Sequence, residues 1–245
     1  MPRLIPNRLV AACVLASILI LSTAAIAVAK GPVADLRVVG SGNKVLAEDS
    51  FGTATTSVVA SPKADCFGSG TGGSGSKLTI KGPTALGMLI QASKYTAALR
   101  PLLITDAFDF GLGLCGIGKS VYTPKRSWYL KVNHKNPEIG GESVKVKKGD
   151  EVLWALAGFP YPNELSLRAP GKAVAGKPFE VHVFTYDDTG KKRPASGVKV
   201  TGGTGLTGND GGTEVVINKP TELIATHGKD IPSNREAVCI GGKCP

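Results

Sequence analysis

The sequence predicts a mainly β chain with one helix, divided into two modules. Three observations predict it. Glycine is abundant, at 32 residues, and aromatic residues are sparse, at 6%; that composition gives many turns and a light core and favours short strands. Short apolar runs with period-two alternation recur along the chain, and only one stretch shows helical spacing. A stiff segment with two prolines, Phe159-Pro160-Tyr161-Pro162-Asn163, separates the part containing the helix from a part that reads as strands and turns alone.

The first stretch is a leader. Arg3 and Arg8 precede an uncharged run from Leu9 to Ala29, which closes on Ala27-Val28-Ala29. A basic end, an apolar run and a small-x-small site form the pattern of a secretory signal. The run is also long enough to cross a bilayer, so two outcomes stand: cleavage after Ala29, or retention as an anchor. Either one leaves the arginines in the cytoplasm and sends the body out. Contact with a membrane is expected only through this segment. Cys13 sits early in the apolar run and reads as one of its apolar residues. The expected boundaries are 1–29 for the leader, 30–158 for the first module and 163–245 for the second.

In the first module Leu36 to Val39, Thr56 to Val59 and Lys77 to Ile80 read as short strands. The Gly/Ser run over residues 67–76 is a flexible loop. Gly82-Pro83-Thr84 starts a helix that buries Leu86, Leu89, Ile90 and Ala97, turns Gln91, Ser93 and Lys94 to water, and ends at Pro101. Ser127 to Asn133 is an aromatic strand. Ser143 to Lys147 alternates apolar and charged residues, and Lys148-Gly149-Asp150 turns it into a return strand, Glu151 to Trp154. Gly149 is expected at positive φ. Beyond residue 163 the candidate strands are Leu165 to Arg168, Phe179 to Tyr186, Val198 to Thr201, Thr213 to Ile217, Glu222 to Thr226 and Arg235 to Ile240. Turns every ten or so residues between them suggest a small antiparallel sandwich.

Four cysteines follow the leader, Cys66, Cys115, Cys239 and Cys244. An even number in an exported chain argues for disulfides. Ile-Gly-Gly-Lys between the last two turns tightly, which pairs Cys239 with Cys244 and leaves Cys66 for Cys115. Loop-closure entropy gives about 4 kcal/mol for the longer loop and about 2 kcal/mol for the shorter. A zinc site needs closer-spaced ligand pairs, so no metal is expected. The net charge of +10 is spread over scattered lysines. It suits solubility or contact with anionic surface polymers, and without a basic cluster interleaved with aromatics it does not suit nucleic acid.

Two segments resemble known families. The run SWYLKVNHKNPEIGGESVKVKKGDEVLWAL, with an aromatic strand ending in Val-Asn, a Gly-rich passage and a Lys-Lys-Gly-Asp-Glu-Val-Leu-Trp turn and strand, resembles the bacterial transcobalamin-like C-terminal domain family. The likeness extends over roughly residues 32–157 and implies a β-grasp-like sheet crossed by one helix. A related domain caps the vitamin in animal cobalamin carriers, so the resemblance raises capture of a corrinoid or another flat ligand. The segments Ala175 to Val183, Gly197-Val198-Lys199-Val200, Thr207 to Gly212 and Asp230 to Asn234 resemble a bacterial immunoglobulin-like repeat over residues 163–240. That likeness speaks to fold and says little about ligand.

Residues that could carry chemistry are few. His134, His182 and His227 are scattered, and no nucleophile-elbow or metalloprotease motif occurs. Asp106 and Asp109 read as a loop turn rather than a carboxylate pair. Gly111 to Gly116 lacks the strand-to-helix setting of a nucleotide loop. Asp187-Asp188-Thr189-Gly190 and Asn209-Asp210-Gly211 read as hairpin turns and lack the longer carboxylate pattern of a calcium loop. The candidates for ligand binding are Trp128, Tyr129, Asn133, His134 and Trp154. The aromatic residues among them cluster on two neighbouring strands, where they serve either a core or a ligand platform. Adjacent strand residues face opposite ways, so Trp128 and Tyr129 divide between the two faces and one is expected to be exposed or beside a groove. A pocket holding His134 with a carboxylate would point to an enzyme.

The expectation is therefore an exported, non-enzymatic binding or surface module, without cofactor, that contacts an unidentified extracellular ligand or surface polymer. The alternatives are a wall-adhesive protein held by basic charge and a corrinoid-capturing protein. Mass spectrometry of the mature N-terminus tests the leader: cleavage at the small-residue site makes Lys30 the first residue, and retention keeps the mass of residues 1–29.

Overall fold

A computed structural model describes residues 31–245; the expected leader, Cys13 included, lies outside the described residues. The chain is mainly β, with one α-helix among the described residues. Strands β1 (Val33–Val39) and β2 (Val45–Gly52) form a hairpin, and β3 (Thr56–Val59) pairs with β4 (Lys77–Ile80). After helix α1 (Ala85–Tyr95), strands β5 (Leu102–Phe108), β6 (Gly111–Ile117) and β7 (Ser120–Val121) form a meander, followed by β8 (Ser127–Val132) and β9 (Glu151–Ala157). The main sheet has the order β2-β1-β9-β8, with β1 and β9 parallel at its centre and the outer pairs antiparallel.

Helix α1 forms where its start signal lies. Thr84 Oγ1 accepts a hydrogen bond from the Gly87 amide at 3.1 Å, the usual service of an N-cap threonine. Its Leu86, Met88, Leu89 and Ile90 pack on Leu36, Val38, Trp128, Leu130 and Trp154 from the sheet. The helix ends at Tyr95, not at Pro101, and a separate 3-10 turn spans Ala97–Leu99. Ala97 is consequently exposed, and Ser93 is buried with its hydroxyl donating to the Ile90 carbonyl at 2.8 Å.

The expected hairpin over 143–154 is corrected. Val144 and Val146 are buried and Lys145 and Lys147 exposed, so the alternation was legible. Yet this segment joins no sheet and makes a single bridge, Thr84 to Lys145. It lies against the start of α1, where the amides of Ala85 and Leu86 donate to the carbonyls of Val144 and Gly141 at 3.0 and 2.9 Å. Those first helical amides have no partner inside the helix and must find one outside it. Gly149 does take φ +79°, and the strand after it, β9, pairs with β1 and β8. The hairpin β5–β6 was missed because GLGLCGI hides its alternation behind glycines. A Cβ at Gly113 would stand 2.8 Å from Phe108, and one at Gly116 2.8 Å from Leu103, so close packing across the hairpin requires them.

The second part contains β10 (Glu164–Arg168), β11 (Lys172–Ala173), β12 (Phe179–Tyr186), β13 (Lys192–Pro194), β14 (Lys199–Val200), β15 (Gly212–Val215), β16 (Thr221–Leu223), β17 (Ala225–Thr226) and β18 (Glu236–Ile240). β12 is the hub and pairs with β10, β13 and β15. Val181 and Val183 alternate inward from it to meet Leu165, Leu167, Val215, Leu223 and Val238 in a core separate from the first. The strand expected over 222–226 is split into β16 and β17, which pair with different partners. β11 and β13 were not anticipated; Lys192-Arg193-Pro194 is wholly exposed and carries no apolar signal.

Both cysteine pairs are joined as expected, Cys66 to Cys115 and Cys239 to Cys244. The Gly/Ser run lies inside the loop closed by the first bridge, tied to β5 through Asp106, whose carboxylate accepts from the Ser74 amide and hydroxyl at 2.8 and 2.6 Å.

Gly141 sets how closely the loop ahead of β9 approaches the core, because a Cβ there would lie 2.7 Å from the Trp154 ring. Gly141→Ala is expected to cost about 1–3 kcal/mol by overpacking. Gly205→Ala, where added atoms meet open space, is expected to leave the urea midpoint unchanged.

Candidate functional site at the seam between the modules

Strands β8 and β9 of the main sheet are covered on both faces. Trp128, Leu130 and Val132 of β8 point to α1, as do Val152, Trp154 and Leu156 of β9. Tyr129 and Lys131 point the other way, with Val39, Leu153, Ala155 and Ala157, and meet Tyr161 from the connector and Ile231 and Tyr186 from the second part. Trp128 and Tyr129 thus divide between faces as strand geometry demands. Neither is exposed, at 9% and 2%. Of the two outcomes expected, exposure does not occur, because the second part of the chain occupies the face that a lone sheet would leave wet, and Tyr129 stacks on Tyr161, which lines a groove along the connector. Trp128 and Trp154 belong to the first core, and only Tyr129, Asn133 and His134 reach the seam or its edge.

Asn133 and His134 occupy the left-handed region, at φ +49° and +67°, which is uncommon for residues other than glycine. Asn133 braces the end of the strand pair: its amide donates to Asp150 at 2.9 Å and its side-chain oxygen accepts from the Glu151 amide at 2.9 Å. The second left-handed residue turns the His134 ring over the seam. It stacks on Tyr186 with centroids 3.7 Å apart and planes 11° from parallel.

At the centre lies Glu164, the first residue of β10, only 2% exposed. The Arg37 guanidinium from β1 donates to its Oε1. His134 Nδ1 stands 3.1 Å from the same oxygen, and Lys131 Nζ lies 3.3 Å from Oε2. Arg37 also donates to the carbonyls of Pro232 and Leu165, and Lys131 to those of Asp187 and Tyr186 at 2.9 and 3.3 Å. The Tyr129 hydroxyl donates to Asp188 at 2.5 Å. Burial alone would raise the pKa of Glu164, but contact with His134 and the charges of Arg37 and Lys131 outweigh it and hold the carboxyl below its ordinary range. Burial pulls Lys131 down despite Glu164 beside it. Burial and the Asp188 contact push Tyr129 up.

None of Arg37, Lys131, Glu164 and Tyr186 was singled out from the sequence. One signal was present: Lys131 stands two residues from Tyr129 on an otherwise apolar strand, so it shares the inward face. The Asp187 and Asn209 segments are hairpin turns, closed by Asp187 on the amides of Thr189 and Lys191 and by Asp210 on that of Gly212. Among the described residues no group of three or more His, Cys, Asp or Glu side chains is placed to hold a metal.

The seam opens on two sides. A polar cleft of about 380 Å³ is bordered by Arg37, Glu48, His134, Glu151, Glu164 and Arg235. It does place His134 with carboxylates, and Nε2 lies 3.4 Å from Glu151. Among the described residues no serine, threonine or cysteine side chain hydrogen-bonds to either ring nitrogen, whose carboxylate neighbours are Glu151 and Glu164. On the other side a groove of about 870 Å³ follows the connector, with Phe159 and Tyr161 on one wall.

Comparison with known proteins returns no matching family model, curated protein or solved structure.

Glu164→Gln is expected to cost about 3–5 kcal/mol, because Arg37 and Lys131 then lie buried without their counter-charge. A depressed carboxyl pKa contributes stability above its unfolded value and loses it as pH falls through the folded one. Denaturation against pH should therefore show the wild type weakening below about pH 4, with a shallower acid limb in the variant.

Proposed function

We propose that this chain is an exported, non-enzymatic binding module that works outside the cytoplasm, with its ligand site at the seam. The observation that carries the reading is the seam itself: two packed units pinned by buried charge, with a groove of about 870 Å³ held open along their connector. A pocket between units, lined by apolar and aromatic groups with a few polar ones, is a common form of ligand site. A disulfide in each unit suits an oxidising compartment. The sheet order β2-β1-β9-β8, with a parallel centre and one helix across it, suits the β-grasp-like reading of the first module, and the strands around β12 suit an immunoglobulin-like reading of the second. In this reading His134 and Glu164 serve architecture and not catalysis.

The occupant in this reading is a surface polymer. Corrinoid capture on Trp128 or Tyr129 is disfavoured, since both rings are committed to packing. Retention of the secreted chain on isolated cell walls tests the proposal. Binding is expected to persist at about 1 M salt, where the screening length falls to about 3 Å. Complete release at that salt would instead identify adhesion by scattered lysines.

A further inference from the structure

We infer that the connector groove is a subsite for an acidic oligosaccharide, which rests on the reading of the seam as a ligand site. Its floor is apolar, built from Val39, Ala155, Ala157 and Ile231. Phe159 stands at its edge 87% exposed. Phe159 meets Tyr161 in a T-shaped contact at 5.8 Å, and Tyr161 is itself fixed by stacking on Tyr129 at 4.0 Å and by its hydroxyl, 3.2 Å from Ser127 Oγ. At 87% exposure most of the Phe159 ring is open to solvent. An exposed aromatic ring beside a half-open apolar trough matches the apolar C–H face of a sugar ring, whose hydroxyl rim then needs polar partners.

The polar groups around the groove are biased toward donors. The Asn163 side chain makes no hydrogen bond with any described residue, and Lys229 is exposed without an acidic partner among them. Arg126 donates once, to the Leu156 carbonyl at 2.7 Å, of the five N–H groups a guanidinium offers. The one carboxylate lining the groove, Asp230, is engaged by His227 at 2.9 Å. Two cations and a free amide face the trough, against one carboxylate already engaged. A ligand rich in acceptors and carrying negative charge complements that set, and a neutral sugar uses only the ring.

Calorimetric titration of the full chain with a linear hexuronate oligomer, and with a neutral gluco-oligomer of equal length, tests this. The hexuronate is expected to bind, the neutral oligomer more weakly. Phe159→Ala is expected to lower hexuronate affinity about tenfold, the scale of one aromatic contact. Phe110→Ala, which removes another exposed ring far from the groove in sequence, is expected to change nothing. Phe159 is too exposed for its truncation to endanger folding. Absence of hexuronate binding, equal binding of both oligomers, or equal loss in both variants would overturn the inference. Wall retention at high salt with no hexuronate binding would overturn the saccharide class alone and leave the binding reading standing. Failure of both assays would sink the two together.

Discussion

The arrangement of the molecule depends on one carboxylate that has left water. Glu164 begins the second module but sits under the first, where Arg37, Lys131 and His134 surround it. An isolated charge in that position would be prohibitive, and an ion pair recovers the loss only when its remaining polar atoms are also satisfied. Here Arg37 and Lys131 meet that condition, while Glu164 Oε2 and His134 Nδ1 are buried with an ion-pair contact alone. The guanidinium and the ammonium of Lys131 spend their other donors on carbonyls of the second module. Such a cluster tolerates little displacement, because sliding either unit would strip several charges of partners at once. It specifies how the two units sit as much as how firmly.

The same cluster explains why strands β8 and β9 have no wet face. A sheet carrying helices on one side often leaves the other to solvent, and its strands then alternate. Strands β8 and β9 read instead as nearly continuous apolar runs, broken only by Lys131. The lysine is the one charged residue of β8; it turns to the second module, as the Tyr129 hydroxyl does, and lies wholly buried. The near-parallel stacks Tyr129–Tyr161 and His134–Tyr186 lie on that same face.

Local features were legible in the sequence where a single residue carries the physics. Thr84 announces its helix, Gly149 its turn, and Val181 with Val183 the inward face of β12. The cysteine pairs followed from count and spacing. What escaped was whatever depends on partners distant in sequence. Val144 and Val146 alternate like a strand, yet their segment serves helix amides that no local pattern reveals. The glycines of β6 mask a hairpin. Glu164 looks like any residue opening a surface strand, and nothing near it in sequence names Arg37 as its partner, 127 residues away. The aromatic cluster read as either core or platform, and the choice was not legible, because a strand's periodicity tells which residues share a face and not what covers it.

The pairing at the centre of the main sheet has a mechanical consequence. β1 and β9 run parallel, from Asp35 beside Glu151 to Val39 beside Ala155. Tension entering ahead of β1 and leaving after β9 pulls these strands along their length in opposite senses. The cross-strand bonds are then loaded together, in shear, and do not open one after another as in a peeled hairpin. A chain fixed at one end and gripping a polymer at the seam would transmit such a pull through its stiffest direction.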